Sequence, residues 1–78
     1  MAILKWWWLS FVGDHQFLGV TVVQADDISG AITKTWRLGI NPGGEVQGCV
    51  VGEDIIPDDC RNRLMSRDEL VTRGLIES

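Results

Sequence analysis

Arginine side chains in the last quarter of the chain are the residues best suited to binding an anion. They stand among a comparable number of acids, at Arg61, Arg63, Arg67 and Arg73. Arg63 and Arg67 are four residues apart, so if one helix runs through this stretch they lie on the same face of it, and their guanidinium groups can fork onto a phosphate. The alternative is ion pairing with nearby acids, of which Asp59, Asp68 and Glu69 are candidates. We predict Arg61, Arg63 and Arg67 as phosphate ligands.

A glycine-rich stretch, L-G-I-N-P-G-G-E-V, is the second candidate for ligand binding. It contains G-x-x-x-x-G, but Glu45 stands where a phosphate-binding loop of a nucleotide hydrolase needs lysine. It also follows a predicted helix and precedes a predicted strand, the reverse of the required order. The exposed backbone at Asn41, Gly43 and Gly44 could still approach a phosphate or carbonyl group closely. The alternative is a rigid turn between helix and strand.

Three consecutive tryptophans, in K-W-W-W-L-S-F, are the third candidate. Trp7 or Trp8 could stack on a nucleotide base. Packing in the core is the commoner use of such residues. An oligomer interface enriched in tryptophan and arginine is a further alternative.

The remaining ionisable residues do not predict an enzyme or a metal centre. His15 lies in a predicted turn, without an orienting partner or a nucleophile. Cys49 and Cys60 lack the spacing of a zinc site. The adjacent acidic pairs, which include Asp26-Asp27 and Asp58-Asp59, diverge on a helix or strand, and capping of helix starts explains most of them. We therefore predict no catalytic residues, no metal and no cofactor.

Composition and charge narrow the class of partners. The 78 residues carry a net charge of -4, which argues against non-specific binding to nucleic acid. No run approaches the roughly 20 apolar residues that span a membrane. The apolar start of the chain lacks a signal-peptide cleavage site, and the two cysteines do not suggest secretion. These features predict a cytoplasmic protein with free thiols.

The elements that would position these residues follow from hydrophobic periodicity. Strands are predicted over 3–12, 17–24 and 45–51, and a helix over 27–38 that places Trp36 against the sheet. Asp26 or Asp27 can cap the helix, and Gly39 is a plausible residue after its end. A short helix is predicted to begin at Pro57, and Ser66 with Glu69 forms a capping box for a last helical turn or two.

These elements predict one α+β domain over residues 1–78. Its sheet has three strands in the order 2-1-3, mainly antiparallel, with the main helix between strands 2 and 3. Strand one is apolar on both faces, which is typical of a strand covered on both sides. One helix covers one face, and the chain has little material left for the other. We therefore expect a second copy of the chain or a ligand on the second face.

Four segments carry a resemblance to known sequences: W-W-W-L-S-F, F-L-G, L-G-I-N-P-G-G-E-V-Q-G and R-N-R-L-M-S-R-D-E-L. Together they resemble a family of short, uncharacterised proteins from phage and bacterial genomes. What the resemblance implies is context, because small phage-linked proteins are often inhibitors of host defence. One such class consists of oligomeric sponges that sequester immune signals derived from cyclic nucleotides or ADP-ribose.

The expectation from the sequence is therefore a non-catalytic homo-oligomer that sequesters a small, phosphorylated, nucleotide-derived molecule in the host cytoplasm. Two alternatives stay open. One is a protein-binding inhibitor of a host defence protein, and the other is a small structural or assembly protein of a phage.

Overall fold

The sheet is the framework of the fold. The computed structural model describes residues 3–76, apart from the side chain of Ile55. The strands are β1 (Lys5–Gly13), β2 (Gln16–Ala25), β3 (Glu45–Val51) and β4 (Leu64–Met65), and the helices are α1 (Ile28–Arg37) and α2 (Arg67–Thr72). Two 3₁₀ turns, Glu53–Ile55 and Asp58–Cys60, lie between β3 and β4. The sheet order is β3-β1-β2-β4, and each neighbouring pair is antiparallel. The α+β class and the antiparallel sheet are thus confirmed.

The number of strands differs from the prediction of three in the order 2-1-3. A fourth strand, β4, pairs with the outer edge of β2 within the stretch that was predicted as a helix from Pro57. Asn62 explains the difference, because its φ of 60° is left-handed and ends any helix there. Its backbone N–H donates to the Val22 carbonyl at 2.8 Å, so the free edge of β2 captures this part of the chain.

Strand β1 lies between β2 and β3, and both of its faces are packed. Leu9 and Phe11 are fully buried on the face that α1 covers. Trp6 and Trp8 point to the opposite face and pack against a second group of buried side chains. The β1–β2 hairpin turns at Asp14 and His15, where His15 adopts a φ of 61°. The prediction of a central strand covered on both sides is confirmed.

Helix α1 begins and ends where its capping residues predict. The Asp27 carboxylate accepts a hydrogen bond from the Gly30 N–H at 2.7 Å, and Gly39 follows the helix with a φ of 72°. Ala31 and Thr35 face the sheet and are fully buried. Trp36 is 62% exposed, so its predicted place against the sheet is wrong. The next residue in a helix is rotated by about 100°, which carries Trp36 away from the face that Thr35 buries.

The second face of the sheet is covered in part by the chain itself. The C-terminal segment, residues 53–76, packs its buried side chains against β2. Those side chains are Ile56, Cys60, Met65 and Leu70. Over β2 the cover is therefore the chain's own C-terminal segment, and a second copy or a ligand on the rest of this face stays a prediction. The stretch that supplies the cover reads as charged and irregular in sequence, which concealed its four buried residues.

Helix α2 is short and is capped at its start. The Ser66 hydroxyl accepts a hydrogen bond from the Glu69 N–H at 3.2 Å, which confirms the predicted cap. The Glu69 carboxylate binds two arginines instead of completing the capping box. Within residues 3–76, neither helix combines the length and the apolar character that crossing a bilayer requires.

Candidate ligand-binding cleft

An apolar cleft lies between the second face of the sheet and the C-terminal segment. Its volume is about 480 Å³. The described residues that line it come from three strands and from the C-terminal segment. They are Trp8, Val22, Cys49, Val51, Ile56, Pro57, Cys60, Met65, Gly74, Leu75 and Ile76. None of these side chains is charged.

The floor of the cleft is a row of three residues across the sheet. Trp8 of β1 lies opposite Val22 of β2 on one side and opposite Cys49 of β3 on the other. The Trp8 ring is half-buried, and its Nε1 donates to the Ser10 hydroxyl at 3.2 Å. Because its one polar atom is already bonded, Trp8 presents apolar ring surface to the cleft.

The C-terminal segment forms the roof of the cleft and is held in place by a network of two arginines and two acids. Arg63 binds both carboxylate oxygens of Glu69, with Nη1 at 2.9 Å from Oε1. Arg73 donates to Glu69 at 3.0 Å and to both carboxylate oxygens of Asp59. The hydrogen bond from Arg63 lowers the pKa of Glu69, and the hydrogen bond from Arg73 lowers the pKa of Asp59. A phosphate that used either arginine would have to displace a carboxylate.

Arg61 anchors the start of the C-terminal segment to the sheet. Its guanidinium lies 4.6 Å from the centroid of the Trp6 ring, within the range of a cation–π contact. The same group donates to the Glu53 carbonyl at 3.2 Å and pairs with Asp58 at 3.3 Å. Since Trp6 and Trp8 share one face of β1, this contact fixes the segment beside the cleft.

Two free thiols line the cleft, one on the sheet and one on the C-terminal segment. Cys49 is exposed on β3, and Cys60 is fully buried beneath the C-terminal segment. Burial raises the pKa of the Cys60 thiol, so this group stays protonated and behaves as a small apolar side chain. Within residues 3–76, apart from Ile55, no cluster of three histidine, cysteine or carboxylate side chains could hold a metal.

The two tryptophans predicted to stack on a base point to opposite faces of the sheet. Trp7 packs under α1, and its Nε1 donates to the Ala25 carbonyl at 3.0 Å. Trp8 is the one of the two that reaches the cleft. Adjacent residues of a strand point in opposite directions, so only one of the pair can serve a given ligand.

The Asn41 side chain of the glycine-rich loop bonds to α1 and to the loop itself. Asn41 donates from Nδ2 to the Thr35 hydroxyl at 3.0 Å and accepts from the Gly43 N–H at 2.7 Å. Gly43 and Gly44 have φ values of 87° and 76°, and a Cβ on Gly44 would collide with the Val12 carbonyl. These glycines are required by the turn, as in the alternative of a rigid connection.

Among the predicted arginines, Arg63 and Arg67 do not share a helix. Arg63 precedes β4, whereas Arg67 begins α2, so their expected spacing on one helical face is wrong. Arg67 is exposed and forms no salt bridge within residues 3–76. Of the eight predicted ligand-binding residues, Trp8 alone lines the cleft among the described residues.

Sequence reasoning missed most of the cleft because its lining comes from distant, individually unremarkable positions. Pro57, Leu75 and Ile76 carry no chemistry and no motif. The available signal was the apolar pair Leu75–Ile76 directly after Gly74, whose φ of 73° turns the chain back at the end of α2. Such a turn returns an apolar segment toward the sheet.

Comparison with protein-family models, curated proteins and solved structures finds no match for this chain. The resemblance to short phage and bacterial proteins stays a prediction. Chemically, the cleft offers apolar contact and one aromatic surface, which suits an uncharged, flat or hydrophobic group.

Proposed function

We propose that this protein is a non-catalytic binding protein that holds the uncharged, planar part of a small ligand in the cleft. The observation that carries this proposal is the apolar cleft of about 480 Å³ beside the Trp8 ring. Sites for small molecules occupy roughly 300–1,000 Å³ and are mostly apolar. A planar ring that stacks on Trp8 would gain about 1–3 kcal/mol from that contact.

The chemistry of the lining favours binding over turnover. Its ionisable groups, among the described residues, are the thiols of Cys49 and Cys60. A reactive thiol needs a lowered pKa and a nearby cation or base, whereas burial raises the pKa of Cys60. A ligand in the cleft therefore contacts apolar side chains that can bind it, and the described lining contains no general acid or base.

A phosphorylated nucleotide derivative fits this proposal in one arrangement. Its base lies against Trp8, and its phosphates remain outside the apolar walls. Arg67 is the predicted arginine that is exposed and unpaired within residues 3–76, whereas Arg63 is engaged by Glu69. Most of the affinity would then come from the base. Sequestration of an immune signal in the host cytoplasm needs no more than such reversible capture.

The experiment is a calorimetric titration of adenosine, AMP, ADP-ribose and cyclic dinucleotides, with variants that fill or spare the cleft. Cys49→Trp places a bulky ring in the wall, at an exposed position that tolerates it. Gln16→Trp is the matched control, since Gln16 is exposed at the start of β2 and does not line the cleft. We expect Cys49→Trp to weaken binding by about tenfold or more, equal to about 1.4 kcal/mol, and Gln16→Trp to leave it unchanged.

The salt dependence separates base recognition from phosphate recognition. Adenosine and its phosphorylated forms should bind with similar affinity, and added salt should have little effect, because screening acts on charges. No binding of any of these compounds by the wild type would refute a nucleotide-derived ligand. Binding that Cys49→Trp leaves intact would place the ligand outside the cleft.

A protein-binding inhibitor is the second candidate, and the exposed end of α1 favours it. Trp36, in the last turn of α1, is 62% exposed, and Leu38, the residue after the helix, is 45% exposed. Exposed tryptophans are frequent hot spots of protein interfaces. If this function holds, Trp36→Ala should abolish capture of a host protein by the immobilised chain, and Cys49→Trp should not. Equal effects of the two variants would contradict it.

A further inference from the structure

The two edges of the sheet differ in how they are protected. At one edge, β4 is only two residues long, and it is followed at once by α2. At the other edge, β3 presents seven residues, and its outer side pairs with no strand within residues 3–76. An open edge of this length is a template for pairing with another strand.

Apart from Glu45 at its first position, the sequence of β3 lacks the residues that protect sheet edges from pairing. Proline, lysine and arginine are absent from E-V-Q-G-C-V-V, and its pairing with β1 runs without a register break. Its one charged residue, Glu45, is at the first position. Five of its seven residues are exposed, and Val50 is 51% exposed.

We propose that β3 pairs antiparallel with β3 of a second copy, about a two-fold axis at Gly48. Two four-stranded sheets then form one continuous sheet of eight strands. Val46 lies opposite the second copy's Val50, and Gln47 lies opposite the second copy's Cys49. Glu45 lies opposite the second copy's Val51.

The partner is a second copy because the edge is complementary to itself. The two-fold pairing sets valine against valine and places no acid opposite an acid. This matters because each copy carries a net charge of -4, and like net charges oppose association. Ile28 packs over Gly48, since a Cβ added to Gly48 would lie 2.9 Å from Cδ1 of Ile28. The Ile28 residue is 37% exposed. Pairing would bury Ile28 and Val50 together.

The pairing also extends the cleft, a consequence that rests on the proposed function. Opposed residues of antiparallel strands point to the same face, so both clefts lie on one side of the eight-stranded sheet. Cys49 and Val51 of the edge strand β3 line the cleft. The second copy's Gln47 then stands beside Cys49 and adds an amide, a polar group that the described lining of one chain lacks.

The test of assembly is light scattering with two charge-matched variants. The wild type should have about twice the chain mass of 8.7 kDa at tens of micromolar. Gln47→Lys adds a lysine to the open edge, and Gln16→Lys adds one to an exposed position of β2. We expect Gln47→Lys to raise the dissociation constant by about tenfold or more and Gln16→Lys to leave it unchanged. A monomeric wild type, or equal behaviour of the two variants, would overturn the proposal.

Disulfide formation tests the axis directly. Gln47→Cys places a thiol opposite the second copy's Cys49, where directly opposed Cβ atoms are about 4.5–5.5 Å apart. Mild oxidation should give a covalent dimer of Gln47→Cys, but not of the wild type or of Gln16→Cys. Cross-linking of the wild type through Cys49 would move the axis to that residue and overturn the stated register. Ligand titration of Gln47→Lys, which retains the cleft of one chain, separates failure of the assembly from failure of the binding function.

Discussion

Replacement of Thr21 by valine should stabilise the fold. Thr21 is fully buried on the face that α1 covers, opposite Leu9 of β1 and Leu64 of β4. Its hydroxyl oxygen has no hydrogen-bond partner among the described residues. Valine has nearly the same shape and is also β-branched, so the substitution removes an unsatisfied polar group without opening a cavity.

The expected magnitude follows from the cost of burying an unpaired hydroxyl. That cost is about 1–3 kcal/mol, and the lower end applies where the surroundings relax. We expect Thr21→Val to raise the free energy of unfolding by about 1 kcal/mol, which for a domain of this size raises Tm by about 4–8 °C. Urea unfolding followed by tryptophan fluorescence measures the difference, and an unchanged m-value shows that the two states compared are the same.

Thr35 provides the matched control with the opposite sign. It is equally buried, but its hydroxyl donates to the Ile32 carbonyl at 2.5 Å and accepts from the Asn41 side chain at 3.0 Å. Thr35→Val removes both bonds and should destabilise the fold by about 1–3 kcal/mol. If both variants destabilise by similar amounts, the hydroxyl of Thr21 has a partner in solution and the reasoning is refuted.

Three further predictions concern pH, the glycine loop and the thiols. Glu69 has a lowered pKa because Arg63 and Arg73 bind its carboxylate. The stability that this carboxylate contributes is therefore present above the ordinary glutamate pKa of 4.5 and is lost as the pH falls below that value. Urea unfolding at pH 7, 5 and 3 measures the loss, and a free energy of unfolding that does not change with pH would contradict it. Gly44→Ala should destabilise the fold more than Gly43→Ala. Both positions have a left-handed φ, which costs alanine about 1–2 kcal/mol, but a Cβ at Gly44 also collides with a carbonyl oxygen of β1. Equal urea midpoints of the two variants would argue against that collision. A thiol reagent should label Cys49 rapidly in the folded protein and Cys60 only after unfolding. Equal labelling rates of the two thiols in the folded protein would show that the C-terminal segment separates readily from the sheet.

The parts of the fold that follow from local rules could be predicted from the sequence. Asp27 caps α1 because its carboxylate meets the free N–H groups of the first turn, and Gly39 ends the helix because its φ is left-handed. The apolar residues on both faces of β1 correctly placed that strand at the centre of the sheet. Each of these signals lies within a few residues of the element that it specifies.

The parts that depend on long-range contacts could not be predicted. The segment before β4 reads as a short helix, but Arg61 stacks on Trp6 and Asn62 bonds to Val22, both far away in sequence. These contacts limit the helix to the 3₁₀ turn at Asp58–Cys60, so Arg63 and Arg67 do not share a helical face. The cleft has the same origin, since its lining runs from Trp8 to Ile76. Only the tertiary fold brings such residues together.

The packing of the C-terminal segment on the sheet has a consequence for the order of events during synthesis. The hairpin of β1 and β2 and helix α1 leave the ribosome before residues 53–76, with one sheet face covered and the other bare. Trp6 and Trp8 lie on that bare face, and most of its cover comes from residues 53–76. Pairing so distant in sequence is slow to form. The nascent chain therefore exposes an aromatic surface until residues 53–76 are made, and chaperones that recognise exposed apolar strands should engage it in that interval.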